Sequence, residues 1–312
     1  MSLNAIASPV RTTSLRGGGT DWRGLIFQGL LALALLFSLT VLMVLLVDVL
    51  LSSAPVFAAR GLDFLTSPTS SLPTKSGVAQ GIQGSFLVVL IVIVTAFPVG
   101  LMTAVYLEEY APANRLTRFI SINIRNLAGV PSIVYGLLGL ALFVGAFKAL
   151  GIGQAGNGRI VFAGGLTMAT LVLPIVIITS AEAIRAVPNA IREAGYGVGA
   201  SKWQVTGKLV LPAALPGILT GVVLSLSRAL GETAPLILAG AVLGSYSSGG
   251  KDLAEQLFGA YTALPMIIFD WTKESAPEFQ ELAAAGIVVL LVITLIANAI
   301  AILLRNRFER SW

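Results

Sequence analysis

Cysteine and histidine are both absent from the 312-residue chain, and each absence removes a class of chemistry. Without cysteine there is no disulfide framework, no thiolate nucleophile and no thiolate metal ligand. Without histidine the commonest metal ligand and the readiest proton relay near neutral pH are gone. Charge is scarce as well. Only 11% of residues are Asp, Glu, Lys or Arg, against about 25% in an ordinary globular chain. Apolar residues fill the gap, at 56% of the chain and a mean hydropathy of +0.89. Too little polar surface remains to coat a water-soluble particle, so the composition predicts an all-α integral membrane protein. The formal net charge of +5 then bears on which membrane side is basic, and not on nucleic acid.

A helix needs about 20 apolar residues to cross the hydrocarbon core. Six runs meet that demand: Leu25–Val47, extendable past Asp48 to Leu51; Phe86–Leu107; Leu127–Phe147; Ile160–Ala183; Leu215–Leu243; and Leu282–Leu304. The first is too long for a signal-peptide core and no convincing small-residue cleavage site follows it, so it is kept as a span, which the resemblance described below implies is peripheral. Residues 1–24 read as a tail, 81–305 as a core of five spans, and 306–312 as a second tail. The stretch from Leu116 to Asn126 is mixed enough to lie at the membrane interface.

Six spans put both termini on one side. The two tails, with Arg305 just before the second, and the connections 108–126 and 184–212 carry 13 of the 20 basic residues. The opposite connections carry Arg60, Lys75, Lys148, Arg159, Lys251 and Lys273. That bias predicts cytoplasmic termini. Two connections are too long for plain turns. The outer one, 244–281, holds the acids Asp252, Glu255, Asp270, Glu274, Glu278 and Glu281, and its middle, Leu253–Phe269, suits a short external or re-entrant helix.

The inner connection, 184–212, has helical composition. Pro188 and Asn189 can open a helix; Gly195, Gly197 and Gly199 are expected to break it. Ser201 with Gln204 makes a capping box for a second short helix, which Pro212 is expected to end. The product is a helix–turn–helix elbow exposing Arg192, Lys202, Trp203 and Lys208 to the cytoplasm. On these grounds alone an ordinary amphipathic connector remains open.

In the fifth run, Ser227-Arg228-Ala-Leu-Gly231-Glu232-Thr233-Ala-Pro235 places a guanidinium and a carboxylate four residues apart, on one helix face. An arginine at membrane depth costs about 2.5–3.5 kcal/mol on insertion scales, so it should face protein or a watery path. One reading is a structural ion pair. The other is an anion path in which Arg228 binds two oxygens of a phosphate and Glu232 tunes it. Gly231 and Pro235 weaken the helix there. Gly217, Gly221, Ser225, Ala229 and Thr233 form a row of small residues that permits close approach of another helix.

The elbow resembles the EAA loop of the membrane subunits of ATP-binding-cassette importers. Glu193-Ala194, Gly199, Leu209 and Leu211-Pro212 fall at the positions of that motif; Gly195 stands where a third small residue, alanine, is usual. In that family the elbow seats in a groove of the ATPase subunit, which implies ATPase-coupling roles for Glu193, Ala194, Gly199, Leu211 and Pro212. No Walker A loop exists in this chain: Gly207-Lys208 and Gly250-Lys251 are followed by Leu209 and Asp252, not by Ser or Thr. Asn123-Ile-Arg125-Asn126-Leu-Ala-Gly129-Val-Pro131-Ser-Ile-Val-Tyr135-Gly136, Arg228-Ala-Leu-Gly-Glu232-Thr-Ala-Pro235 and Leu264-Pro265-Met-Ile-Ile-Phe269 are similar, more narrowly, to the A-type permease subunits of bacterial Pst phosphate importers.

That resemblance implies the type I importer permease fold and a place in the cytoplasmic membrane. It implies a homologous sister permease, an ATPase dimer that carries ATP and Mg, an outer phosphate-binding protein, and phosphate as cargo. Arg228, Glu232 and Thr233 would lie on the substrate path, and the chain itself would hold no cofactor or metal and catalyse nothing. Two alternatives stand beside it. A permease for sulfate or molybdate would keep the elbow, though the Gly-Glu-Thr-Ala-Pro run argues against it. An ion-coupled secondary carrier would explain Arg228–Glu232 without an ATPase, but the internal repeats usual in such carriers are not found.

Overall fold

The structure, a computed structural model, describes residues 22–153, 156–242 and 252–308. Most of both expected tails, Leu243 at the end of the fifth run and the start of the long loop through Lys251 lie outside them. Helices account for the described secondary structure: α1 (Trp22–Arg60), α2 (Ala79–Tyr110), α3 (Arg115–Ala128), α4 (Ser132–Ala149), α5 (Val161–Arg185), α6 (Asn189–Gly197), α7 (Lys202–Gly231), α8 (Ala234–Leu238), α9 (Leu253–Leu257), α10 (Leu264–Trp271) and α11 (Pro277–Phe308). Among the described residues six are long and apolar enough to cross a membrane: α1, α2, α4, α5, α7 and α11.

The chain forms two units, one up to Asp48 and one from Val49 onward. Of the first, the described part is the N-terminal portion of α1, apolar on every face, as a helix bathed in lipid must be. In the second, α5 is the central element and the most buried span. Leu171, Val172 and Met168 of α5 pack with Val88, Ile91 and Val92 of α2, and with Leu236 of α8. The row of small residues on α7 faces this same helix. A Cβ at Gly217 would press on Ala183, and one at Gly221 on Thr179. The partner of the small row is therefore a span of this chain, which lets α5 and α7 approach closely.

The ends of several spans differ from the sequence expectations, and proline explains each difference. The third span starts at Ser132, not Leu127, because Pro131 is extended (φ −54°, ψ 137°) and separates it from α3. The Tyr135 hydroxyl bridges that break by donating to the Leu127 carbonyl at 2.8 Å. α3 is strongly amphipathic, buries none of its side chains and is capped by Asn114, whose Oδ1 accepts from the Thr117 amide at 2.8 Å. Pro212 does not end a helix. α7 runs through it, because a π-turn over Thr206–Val210 widens the helix just before the proline ring would meet the Lys208 carbonyl. The fifth span stops at Gly231, not Leu243: Pro235 cannot donate to the Gly231 carbonyl and instead opens α8.

In the connection expected to lie outside, the expected helix over Leu253–Phe269 is two short helices, α9 and α10, joined by a buried extended segment. Tyr261 and Thr262 are fully buried there. The segment lies so close to α2 and α5 that Gly84 and Gly164 leave no room for a Cβ. Burial pushes the Tyr261 phenol well above its ordinary pKa. The last span begins at Pro277, so Glu278 and Glu281 belong to its first turns and not to a loop. Phe64 and Trp271 join the end of α1 to α10 and α11 in a second apolar cluster. Arg60, one of the basic residues expected outside, is used structurally: its guanidinium donates to the carbonyls of Pro73 and Ser76.

Candidate functional site

Two regions gather the residues singled out above. The first is the end of α7. Arg228 lies in its last turn, and its Nε is 3.2 Å from Glu232 Oε1. The side chains are 36% and 22% exposed, so both ions are partly desolvated and each depends on the other. They are not on one continuous helix. Glu232 is extended (φ −82°, ψ 125°), and Thr233 follows as the N-cap of α8, its carbonyl accepting from the amides of Leu236 and Ile237. The pair thus sits at a joint between two helices, not in the middle of a span. α8 is held on its other side by α4, where Gly136 lies against Pro235 and Leu238.

Asn298 of α11 meets Ser227, the residue before Arg228. Ser227 Oγ, which bonds the Val223 carbonyl at 2.9 Å, also lies 2.7 Å from Asn298 Oδ1. Sequence reading passed over Asn298. An asparagine in an otherwise apolar span was the available signal, since such a residue seeks a partner across helices.

A groove of about 520 Å³ between α2, α7 and α11 is lined by Phe86, Phe97, Leu226 and Ile293 among other apolar side chains. It includes neither Arg228 nor Glu232, and its chemistry suits hydrocarbon.

The second region is the elbow. α6 spans Asn189–Gly197, so Gly195 and Gly197 are within the helix and only Gly199 breaks it, at φ +80°. Gly195 is buried, and a Cβ there would come within 2.9 Å of Leu209 and Val205 side-chain atoms. The glycine that departs from the resembled motif is where the two halves of the elbow touch. The capping box of Ser201 and Gln204 is formed in both directions. Glu193, Ala194, Gly199 and Pro212 are exposed and Leu211 half-buried. Trp203 and Val198 are 73% and 85% exposed, an apolar surface at the elbow's tip.

Arg192 corrects an expectation. It does not face the cytoplasm: its side chain is 16% exposed and pairs with Glu109 at 2.8 Å. Its guanidinium also donates to the carbonyls of Ile184 and Val187. Arg185 makes a fork with Glu108, at 3.1 and 2.5 Å. Glu108 and Glu109 were not singled out from the sequence, because nothing local marks their partners.

Similarity to known proteins agrees with this geometry. The phosphate transport system permease protein PstA 1 of Mycobacterium tuberculosis (strain CDC 1551 / Oshkosh) is 35% identical over 230 residues, covering 73% of this chain and 70% of the relative. The phosphate transport system permease protein PstA of Xylella fastidiosa (strain Temecula1) is 32% identical over 256 residues, covering 80% and 83%. Among solved structures, a bacterial ABC transporter that imports the acidic polysaccharide alginate has a chain matching at a TM-score of 0.57 and 15% identity, covering 90% of this chain and 97% of that one. A chain of the inward-facing MetNI methionine ABC transporter matches at 0.54 and 18%, covering 75% and 98%. The fold is that of the type I importer permeases. The family model described as "Binding-protein-dependent transport system inner membrane component" matches residues 96–310, so the chain belongs to that family, as a multi-pass membrane permease.

Proposed function

We propose that this chain is one permease subunit of an ATP-driven inorganic phosphate importer, and that the anion passes Arg228 on its way across the membrane. One observation carries the reading: a half-buried guanidinium sits at a helix joint, paired among the described residues with one carboxylate, Glu232. An arriving phosphate could replace that carboxylate as counter-ion, two oxygens to the planar fork. Thr233, at the same joint, supplies a hydroxyl to the path. The relatives named phosphate permeases support phosphate as the cargo over sulfate or molybdate.

A path of this kind, between two subunits, calls for a homologous sister permease. The elbow, with Glu193, Ala194, Gly199, Leu211 and Pro212 at or near its surface, seats in an ATPase dimer that carries ATP and Mg. The exposed Trp203 and Val198 give that seat an apolar centre. The missing Gly-Lys-Ser/Thr run leaves ATP hydrolysis to those partners. The basic bias puts both termini and the elbow in the cytoplasm, with the acidic outer residues toward an extracytoplasmic phosphate-binding protein. A purely structural Arg228–Glu232 pair is the second reading, favoured by the pair's being already formed at 3.2 Å.

The test is reconstitution of the chain with sister permease, ATPase and binding protein in vesicles. ATP-dependent uptake of labelled phosphate, with little sulfate or molybdate, is the expected result. Preferential uptake of either other anion reassigns the cargo. Phosphate uptake driven by an ion gradient without ATP makes the chain a secondary carrier.

A further inference from the structure

We infer that Glu108, Glu109 and Tyr110 are positioning residues of transport, tying the elbow to α2 so that its displacement is delivered to that span as well as to α7. The inference rests on the elbow being the ATPase seat. Its observations are separate from that reading.

All three residues belong to one π-turn, Tyr106–Tyr110, at the inner end of α2. Each holds a different part of the elbow. Glu108 takes the fork of Arg185, the last residue of α5, just before the elbow begins. Glu109 takes Arg192, inside α6. The ring of Tyr110 lies 5.1 Å below Nζ of Lys202, the first residue of α7. The contacts fall before the joint, within it and after it.

Their chemistry suits the transmission of force more than simple adhesion. The Glu109 side chain is 5% exposed, so its charge is tolerable only while Arg192 stays in place. Arg192 in turn donates to two carbonyls at and just past the end of α5: Ile184 at 2.9 Å, which also accepts from the Val187 amide, and Val187 at 2.6 Å. One guanidinium therefore joins α2, α5 and α6, and none can shift alone without stranding a buried charge or a carbonyl. A π-turn is a rare form of helix that occurs frequently at functional sites. This one places three successive side chains on three supports.

The experiment uses the assembled complex and reads three quantities: assembly, ATP turnover and phosphate uptake. Glu109→Gln should assemble and keep ATP turnover within about twofold, while uptake per ATP falls by about tenfold or more, within the 5- to 150-fold span of ordinary coupling. The chain has no native cysteine, so the pair Glu109→Cys with Arg192→Cys can be bridged by a short bismaleimide. Bridging should raise uptake per ATP again, and a monofunctional maleimide should not. Equal uptake per ATP before and after bridging overturns the inference, as does wild-type uptake by Glu109→Gln. If Glu109→Gln fails to assemble, the more accessible Glu108→Gln decides. Reduced uptake per ATP supports the clasp, and full uptake reduces these residues to a structural staple. Failure of the elbow reading looks different: complexes carrying Trp203→Ala and Gly199→Trp would then bind the ATPase and turn over ATP as the wild type does.

Discussion

Arg228 and Glu232 form an ion pair across the end of a helix: α7 stops at Gly231, and the carboxylate comes back from an extended residue to within 3.2 Å of Nε. Along a continuous helix, opening such a pair requires a rotamer change against packed neighbours. Here the carboxylate is carried by an extended residue that lies between α7 and α8.

For the anion path, Arg228→Gln should leave assembly intact and lower phosphate uptake by about 10- to 100-fold, the equivalent of one charge-assisted hydrogen bond of about 1.5–3 kcal/mol. Arg228→Lys should retain part of the activity, because it keeps the charge and loses the fork. The double change Arg228→Gln with Glu232→Gln should assemble and still not transport. Substantial uptake by that double variant assigns the pair to structure alone.

At the elbow, Gly199 has a left-handed backbone with open space where a Cβ would stand. Gly199→Ala should therefore cost only the backbone strain, about 1–2 kcal/mol, and still bind the ATPase. Gly199→Trp pays the same strain and adds a bulky ring on the proposed seat. It should lose ATPase binding, as should Glu193→Lys. Pull-down of the ATPase with the purified permease pair checks this, and equal binding by Gly199→Ala and Gly199→Trp removes Gly199 from the contact surface.

Gly195 makes the opposite prediction. Its Cβ position is open in backbone terms but crowded by Leu209 and Val205. Gly195→Ala should destabilise the elbow by about 1–3 kcal/mol, the usual cost of overpacking. Adding Val205→Ala should recover much of it. Thermal unfolding of the detergent-solubilised protein reads both, and additive losses in the double variant would show that the two positions do not meet.

In the connection proposed to lie outside, Glu274 is exposed just before α11, and Glu278, exposed, and Glu281, partly buried, lie in its first turns. If they steer a binding protein, replacing the three by glutamine should slow its association and weaken the salt dependence of the rate. Stopped-flow docking at two ionic strengths measures this; an unchanged rate at low salt leaves them a solvated face.

The number of spans was legible because lipid imposes a length on every crossing helix, and hydropathy records it directly. The joints were less so. Pro131, Pro212 and Pro235 look alike in sequence, yet one precedes a helix, one lies inside a helix relieved by a π-turn, and one restarts a helix after a break. Which outcome follows depends on the packing of the preceding turn. Arg228 was found because a charge among apolar residues announces itself. Arg192 was misplaced because its partner, Glu109, lies 83 residues away, and the surroundings of a basic residue in a polar connector say nothing of that. Gly195 was read as a helix breaker when its role is contact, with residues on the far side of the elbow.

The unbroken course of α7 through Pro212 makes one mechanical body of the elbow's second half and the turn that carries Arg228. Its 30 residues measure about 45 Å at 1.5 Å per residue. The small residues of its middle, seated on α5, form a fulcrum. A tilt of about 10° around that fulcrum carries each end through roughly 4 Å, comparable to the reach of a hydrogen bond. Leverage of that size, applied at Lys202, is enough to bring a guanidinium into or out of bonding range at the other end of the rod.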